Sequence, residues 1–268
     1  GTIRRLVEQK HEVHVAYQTS GNIAVGDEEV VRFMHFINGF NQIFINSEDQ
    51  VISEKYAEIR KFLKDKKDGD MDTRDILTIK GLIRRGEART ACTYNNIPLE
   101  RCHFLDLPFY ETGKIQKNPI SEADVEIVRN LLREVKPHQI FVAGDLADPH
   151  GTHRVCTDAV FAAVDLEKEE GAECLKDCRI WMYRGAWAEW EIENIEMAVP
   201  ISPEELRAKR NSILKHQSQM ESAPFLGNDE RLFWQRSEDR TRGPAARSDS
   251  LGLASYEAME AFVEYIPL

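Results

Sequence analysis

The sequence predicts an α/β protein, and three observations carry that expectation. Short runs of β-branched and aromatic residues alternate with stretches whose apolar residues recur at helical spacing. One such run, Gln139-Ile-Phe-Val-Ala143, reads as a buried strand. It passes at once into a polar loop and a new helix, and in layered α/β folds sites form at such strand ends. The expectation is one α/β domain over residues 1–268 with an extended C-terminal segment.

Each element has its own local reason. Ile3 to Gln9 reads as the later part of an amphipathic helix, with no cap before it. His11 to Tyr17 alternates like a strand and ends in the turn-forming Thr19-Ser20-Gly21-Asn22. Residues 27–38 and 53–66 read as helices, and 72–89 as a third. Cys102 to Leu107 reads as a strand stopped by Pro108. Ser121 and Asp124 offer an N-cap to a helix whose Val125, Val128, Leu131 and Leu132 share one face. Thr152 to Leu166 is a helix by pattern, followed by strands at 180–183 and 195–199, the second ended by Pro200. Ser202-Pro203-Glu204-Glu205 combines an N-cap, a proline at the first helical position and a capping glutamate, so a helix is expected to about Met220. Residues 239–250, rich in Arg, Gly, Ser and Pro, read as a loop, and 254–263 as a closing helix.

Composition excludes more than it proposes. The 268 residues hold 35 Lys+Arg against 46 Asp+Glu, a net charge of −11. Nucleic acid and anionic membrane surfaces want a basic face, so neither is expected as a partner. There is no apolar run of transmembrane length and no signal peptide, and a cytoplasmic location is expected. The 5 cysteines show no paired spacing and read as reduced thiols.

The segment that carries chemistry follows the buried strand: Gly144-Asp-Leu-Ala-Asp-Pro-His-Gly-Thr-His153. Asp145, Asp148, His150 and His153 gather at a strand end and a helix start. Such a set suits metal binding by one imidazole and acid–base work by another group. Gly144-Asp145-Leu146-Ala147-Asp148 also looks like part of a calcineurin-type metallophosphoesterase signature, but the Asp-x-His that fold needs upstream and the Gly-Asn-His-Asp/Glu it needs downstream do not occur. A nucleotide-binding Gly-x-Gly-x-x-Gly is missing as well.

Asp148-Pro-His-Gly-Thr-His153 resembles the second motif of the LmbE/PIG-L zinc-dependent de-N-acetylases. Arg84 and Glu87 match that family's Arg-x-x-Glu, and His216-Gln-Ser-Gln219 its His-x-Ser/Thr-Gln. Thr19-Ser-Gly-Asn22 sits where the family has a Thr-x-Gly turn. The resemblance covers essentially the whole chain. It is strongest to a subgroup fused behind a glucosamine-6-phosphate deaminase domain in bacteria. It implies a three-layer Rossmann-like sandwich with a mostly parallel sheet, and de-N-acetylation of an N-acetylated amino sugar or its conjugate. By the same resemblance His153 is a metal ligand, His150 stabilises the oxyanion, Asp148 or Asp145 serves as a supporting carboxylate, and Arg84 and His216 contact substrate.

Two departures qualify the match. Gly151-Thr152 stand where the family often has Pro-Asp. The His-Pro-Asp-Asp that supplies the family's other zinc ligands occurs nowhere in the 268 residues. The first strand is therefore expected to be truncated, and zinc or another divalent ion to be held weakly or not at all by this chain. The alternative is a non-catalytic accessory or oligomerisation domain of a bifunctional amino-sugar protein. A fused or associated deaminase domain and a homo-oligomer are the protein partners considered. Trp181, Trp187, Trp190 and Trp234 read as core or interface residues, with stacking on a sugar ring as the other use.

Overall fold

The computed structural model describes residues 1–45, 50–114, 116–144, 151–184, 189–220 and 231–266. Its order is α1 (Thr2–Glu8), β1 (Val15–Tyr17), α2 (Asp27–Phe40), α3 (Val51–Asp65), α4 (Arg74–Tyr94), β2 (Cys102–Phe104), α5 (Glu122–Val135), β3 (Gln139–Ala143), α6 (Thr152–Glu169), β4 (Arg179–Tyr183), β5 (Met197–Ile201), α7 (Pro203–Ile213), α8 (Phe233–Ser250) and β6 (Ala258–Tyr265). The α/β class holds.

The strands form two sheets. β1 and β2 pair in parallel, Val15 opposite Cys102. The second sheet has the order β3-β4-β6-β5. β3 and β4 are parallel, and β6 lies antiparallel between β4 and β5. Three strands of that sheet therefore point the same way and β6 runs against them. Both sheets border one core: Leu107, Phe109 and Tyr110, which follow β2, pack with Val128 and Leu132 of α5, Val142 of β3 and Ala159 to Val164 of α6. A second cluster, Val30, Met34, Ile59 and Ile76, joins α2, α3 and α4.

Local chemistry explains the boundaries that the sequence marked. Ser121 and Asp124 form a reciprocal capping box at α5, and Ser202 with Glu205 another at α7. Thr73 caps α4 by accepting from the Ile76 N–H.

Four expectations are corrected. Residues 239–250 are not a loop but the body of α8, with Pro244 inside the helix. Ser237, Thr241, Pro244, Ala245 and Ser248 are buried on one face, and α8 packs on β6. Tertiary burial of these small side chains outweighs the weak propensity of Gly243-Pro244. Residues 258–265 are strand β6 rather than a closing helix. Their Ala, Met and Glu favour helices locally, but pairing with strands on both sides overrides that preference. β5 continues through Pro200, which faces Met259. β5 is an edge strand, where the missing N–H is tolerated. Finally, α7 stops at Ile213 and a 3-10 turn at Gln217–Gln219 replaces the rest of the predicted helix.

Two buried ionic clusters tie helices together. Glu167 of α6, 3% exposed, accepts from Arg129 Nε at 2.6 Å and Arg133 Nε at 3.1 Å, both on α5. Lys80 and Lys66 each bridge Asp27 and Asp72 in a closed ring at 2.6–2.8 Å. The ring borders a cavity of about 540 Å³ between α2, α3 and α4, reached also by Ile23 and Gly113.

Both clusters set an acid limit. Burial alone would raise the Glu167 pKa, but the Arg133 and Arg129 hydrogen bonds outweigh it and hold the carboxyl below its ordinary range. Burial also opposes ionisation of Asp27, and Lys66 and Lys80 outweigh it. A carboxylate depressed on folding contributes in full above its unfolded pKa, about 4, and that contribution is lost as pH falls through the folded value. The melting temperature is therefore expected to hold between about pH 7 and 5 and to fall steeply below about pH 4. In the Asp27→Asn/Glu167→Gln protein it should start lower and fall less steeply. An equally steep acid limb in that variant would contradict the assignment.

Candidate active site

The site is built where three separated segments meet. The first is the turn after β1. Gly21 has φ +65°, and a side chain there would stand 3.0 Å from Arg84 Nε, so the position needs glycine on both counts. Asn22, buried, donates from Nδ2 to Glu111 Oε2 at 3.2 Å, and the Ser20 N–H donates to Glu111 Oε1 at 3.3 Å. The second segment is the middle of α4, where Arg84 and Glu87 lie one turn apart. The third is the 3-10 turn after α7.

Glu87 joins the second and third. Its buried carboxylate accepts from the Ser218 N–H at 2.6 Å, Ser218 Oγ at 2.8 Å and Arg84 Nη1 at 2.9 Å. Gln219 Nε2 donates to the Ala24 carbonyl at 2.8 Å, which ties the third segment to the first. The Arg-x-x-Glu, His-x-Ser-Gln and Thr-x-Gly segments are thus one bonded unit, across 131 positions of sequence at the Glu87–Ser218 contact.

Two aromatic groups line this unit. His216 Nδ1 is buried and has no hydrogen-bond partner among the described residues. Burial lowers the His216 pKa, the Arg84 guanidinium lowers it further, and Glu87 opposes both, so a neutral imidazole is favoured. Burial pushes the Tyr110 phenol up to about 12; Glu111 adds to that and Arg84 opposes it. The Tyr110 phenol also feels Cys156 of α6, as does Tyr183 at the end of β4.

The ends of β3 and β4 make a second group of contacts. The Ala143 carbonyl accepts from Thr157 Oγ1. Gly144 leaves no room for a side chain, since a Cβ would stand 2.7 Å from Met182 Cβ and 2.9 Å from the Trp190 ring. Trp190 donates from Nε1 to the Met182 carbonyl at 3.2 Å and carries the Arg184 guanidinium 4.7 Å above its ring. Glu189 stands 3.4 Å from Arg240, and burial raises its pKa against the pull of the Trp190 N–H and Arg240.

Of the predicted site residues, Arg84 and His216 come together through Glu87 and Ser218. His153 is exposed in the first turn of α6. Asp145, Asp148 and His150 lie outside the described residues, as does Trp187. Trp181 is buried core, and Trp234 carries Arg210 4.6 Å over its ring. Sequence reasoning passed over Tyr110, Glu111, Arg184 and Glu189. Tyr110 and Glu111 follow a strand closed by Pro108, the same strand-end position that drew notice at His153. Arg184 and Glu189 flank a second strand end in the same way.

Among the described residues no three His, Cys, Asp or Glu side chains stand together as a metal site, so these residues do not by themselves make a zinc centre.

Comparison with known proteins follows this geometry. A glucosamine-6-phosphate deaminase-like protein of Bacteroides thetaiotaomicron is 93% identical over all 268 residues. The chain spans only 40% of that protein's length. The fold is similar to that of an N,N'-diacetylchitobiose deacetylase from Pyrococcus horikoshii, with TM-score 0.57 and 14% identity over 99% of this chain and 77% of that one. It is equally similar to a 4-carboxy-2-hydroxymuconate hydratase from Pseudomonas putida, with TM-score 0.59 and 14% identity over 100% of this chain and 89% of that one. No helix among the described residues is long and apolar enough to cross a membrane. The sequence pattern of the GlcNAc-PI de-N-acetylase family matches residues 1–164, more than half of the chain, and the chain belongs to this PIG-L family.

Proposed function

We propose that residues 1–268 act as one de-N-acetylase domain of a longer cytoplasmic amino-sugar protein that also carries a deaminase-like part. The reaction is hydrolysis of an acetamide: water adds to the carbonyl carbon, the C–N bond breaks, and acetate and a free amine leave. The observation that carries this reading is the bonded unit of Arg84, Glu87, Ser218 and Gln219, with Gly21 packed against Arg84 and His216 on the same turn as Ser218. Arg84 and the protonated Tyr110 phenol supply donors for sugar oxygens, and neutral His216 supplies a donor or acceptor at the same wall. By the family resemblance His150 stabilises the oxyanion, Asp148 is the supporting carboxylate, and His153 is one metal ligand. Zinc or another divalent ion would polarise the acetamide carbonyl when bound.

The second reading, an accessory domain without catalysis, is favoured by the incomplete donor set. The hydratase neighbour is a reminder that this fold carries chemistry other than deacetylation.

The test uses the full-length protein and N-acetylglucosamine derivatives, with acetate and bound metal measured together. His153→Ala should lose metal and activity. His150→Ala should keep metal and lose at least about 100-fold in rate. Full activity in His153→Ala, or no acetate from any derivative by metal-loaded protein, would leave the accessory-domain reading standing.

A further inference from the structure

We propose that the outer face of α2 and the turn after it is the interface through which two copies of this chain pair. In a chain 30% charged, no Asp, Glu, Lys or Arg occurs between Arg32 and Glu48. The structure buries Met34 of that stretch but leaves most of its apolar residues outside. Phe36 is 67% exposed, Phe40 45%, Ile43 73% and Phe44 72%. Phe36, Phe40 and Phe44 follow one another with their rings tilted, centroids 6.1 and 4.9 Å apart. The face is not spare core: α2 already buries Val30 and Met34 against Ile59 and Ile76 on its other side.

Charge decides what covers it. Each copy carries −11, so two copies repel over most of their surfaces. They meet no such penalty where both present an uncharged ridge, and a two-fold pair sets the same patch against itself. Phenylalanines at i, i+4 and i+8 make one helical ridge that can pack beside its own copy. With Ile37 and Ile45 these side chains offer roughly 600 Å² of apolar surface, set against about 800 Å² per partner in a standard interface. A patch of that size is larger than most monomers leave open. This inference does not rest on the proposed activity.

Sedimentation velocity of the 268-residue chain across a concentration series tests it. The chain should dimerise, and added salt should not dissociate the dimer. Phe40→Glu/Phe44→Glu should raise the dimer dissociation constant at least about thirtyfold with an unchanged circular dichroism spectrum. Leu251→Glu, at an exposed site elsewhere, should leave it unchanged. A monomer at every concentration, or a Phe40→Glu/Phe44→Glu protein that dimerises as tightly, overturns the proposal. So does hydrogen exchange showing α2 protected in the monomeric full-length protein but not in the isolated chain, since the rest of that protein would then be the occupant.

Discussion

Glu87→Ala is expected to destabilise the protein by about 3–5 kcal/mol and to abolish any activity of the site. The carboxylate receives three hydrogen bonds, two from Ser218 and one from Arg84, and its side chain is only 10% exposed. Removing it strands a buried Ser218 N–H and leaves Arg84 without its ion-pair partner. An unsatisfied buried donor costs about 1–3 kcal/mol, and a charge left behind costs more. The loss should also reach function through position, because the turn that carries His216 has no other bond to α4 as strong as this one. Glu87→Gln keeps one acceptor oxygen and the size of the side chain, so it should cost about half as much. Ser218→Ala should cost about 1 kcal/mol, since the backbone N–H bond survives. Thermal melts of the three variants give the order Glu87→Ala, Glu87→Gln, Ser218→Ala. Activity assays should show a fall in kcat for Glu87→Gln under conditions where the protein is fully folded. Glu87→Ala melting within about 2 °C of the parent would show that the clasp contributes nothing.

That clasp shows where sequence reasoning reaches and where it stops. Arg84, Glu87 and His216 were legible through their resemblance to two short motifs of the family, each confined to four residues. Ser218 as the partner of Glu87 was not, since nothing in either segment encodes a contact 131 positions away. The same divide runs through the fold. Capped helices such as α5 and α7 announce their starts by Ser121-Asp124 and Ser202-Glu205, because a capping box closes within four residues. β6 and α8 were misread because their states are decided by non-local packing: β6 by strands on both sides, α8 by small residues pressed on β6. Pro244 and the helix-forming Ala258-Met259-Glu260 pointed the wrong way locally. The end of α7 was missed for a related reason: the Ser218 N–H serves Glu87, where a continuing helix would have bonded it to its own backbone.

Asp124→Ala is expected to cost about 3–4 kcal/mol and to lower the melting temperature by roughly 6–14 °C. Asp124 is 0% exposed, which is rare for a carboxylate, and every bond it makes is local to one corner of the core. Oδ2 accepts from the Ser121 N–H at 2.9 Å and from Ser121 Oγ at 2.5 Å, closing the capping box. Oδ1 accepts from the Phe109 N–H at 2.9 Å. The negative charge also sits in the first turn of α5, where the helix dipole favours it. Alanine would leave the Phe109 N–H buried and unpaired beside a side chain only 1% exposed. Because Tyr110 and Glu111 follow directly, and Glu111 holds Ser20 and Asn22, the loosened segment is the one that shapes the 19–22 turn. Ser121→Ala removes only the hydroxyl and should cost about 1 kcal/mol. Asp124→Asn keeps an acceptor for Phe109 and should fall between the two. If Asp124→Ala costs no more than Ser121→Ala, the Phe109 bond carries no weight, and the corner is held by the packing of Phe109, Val128 and Leu132 alone.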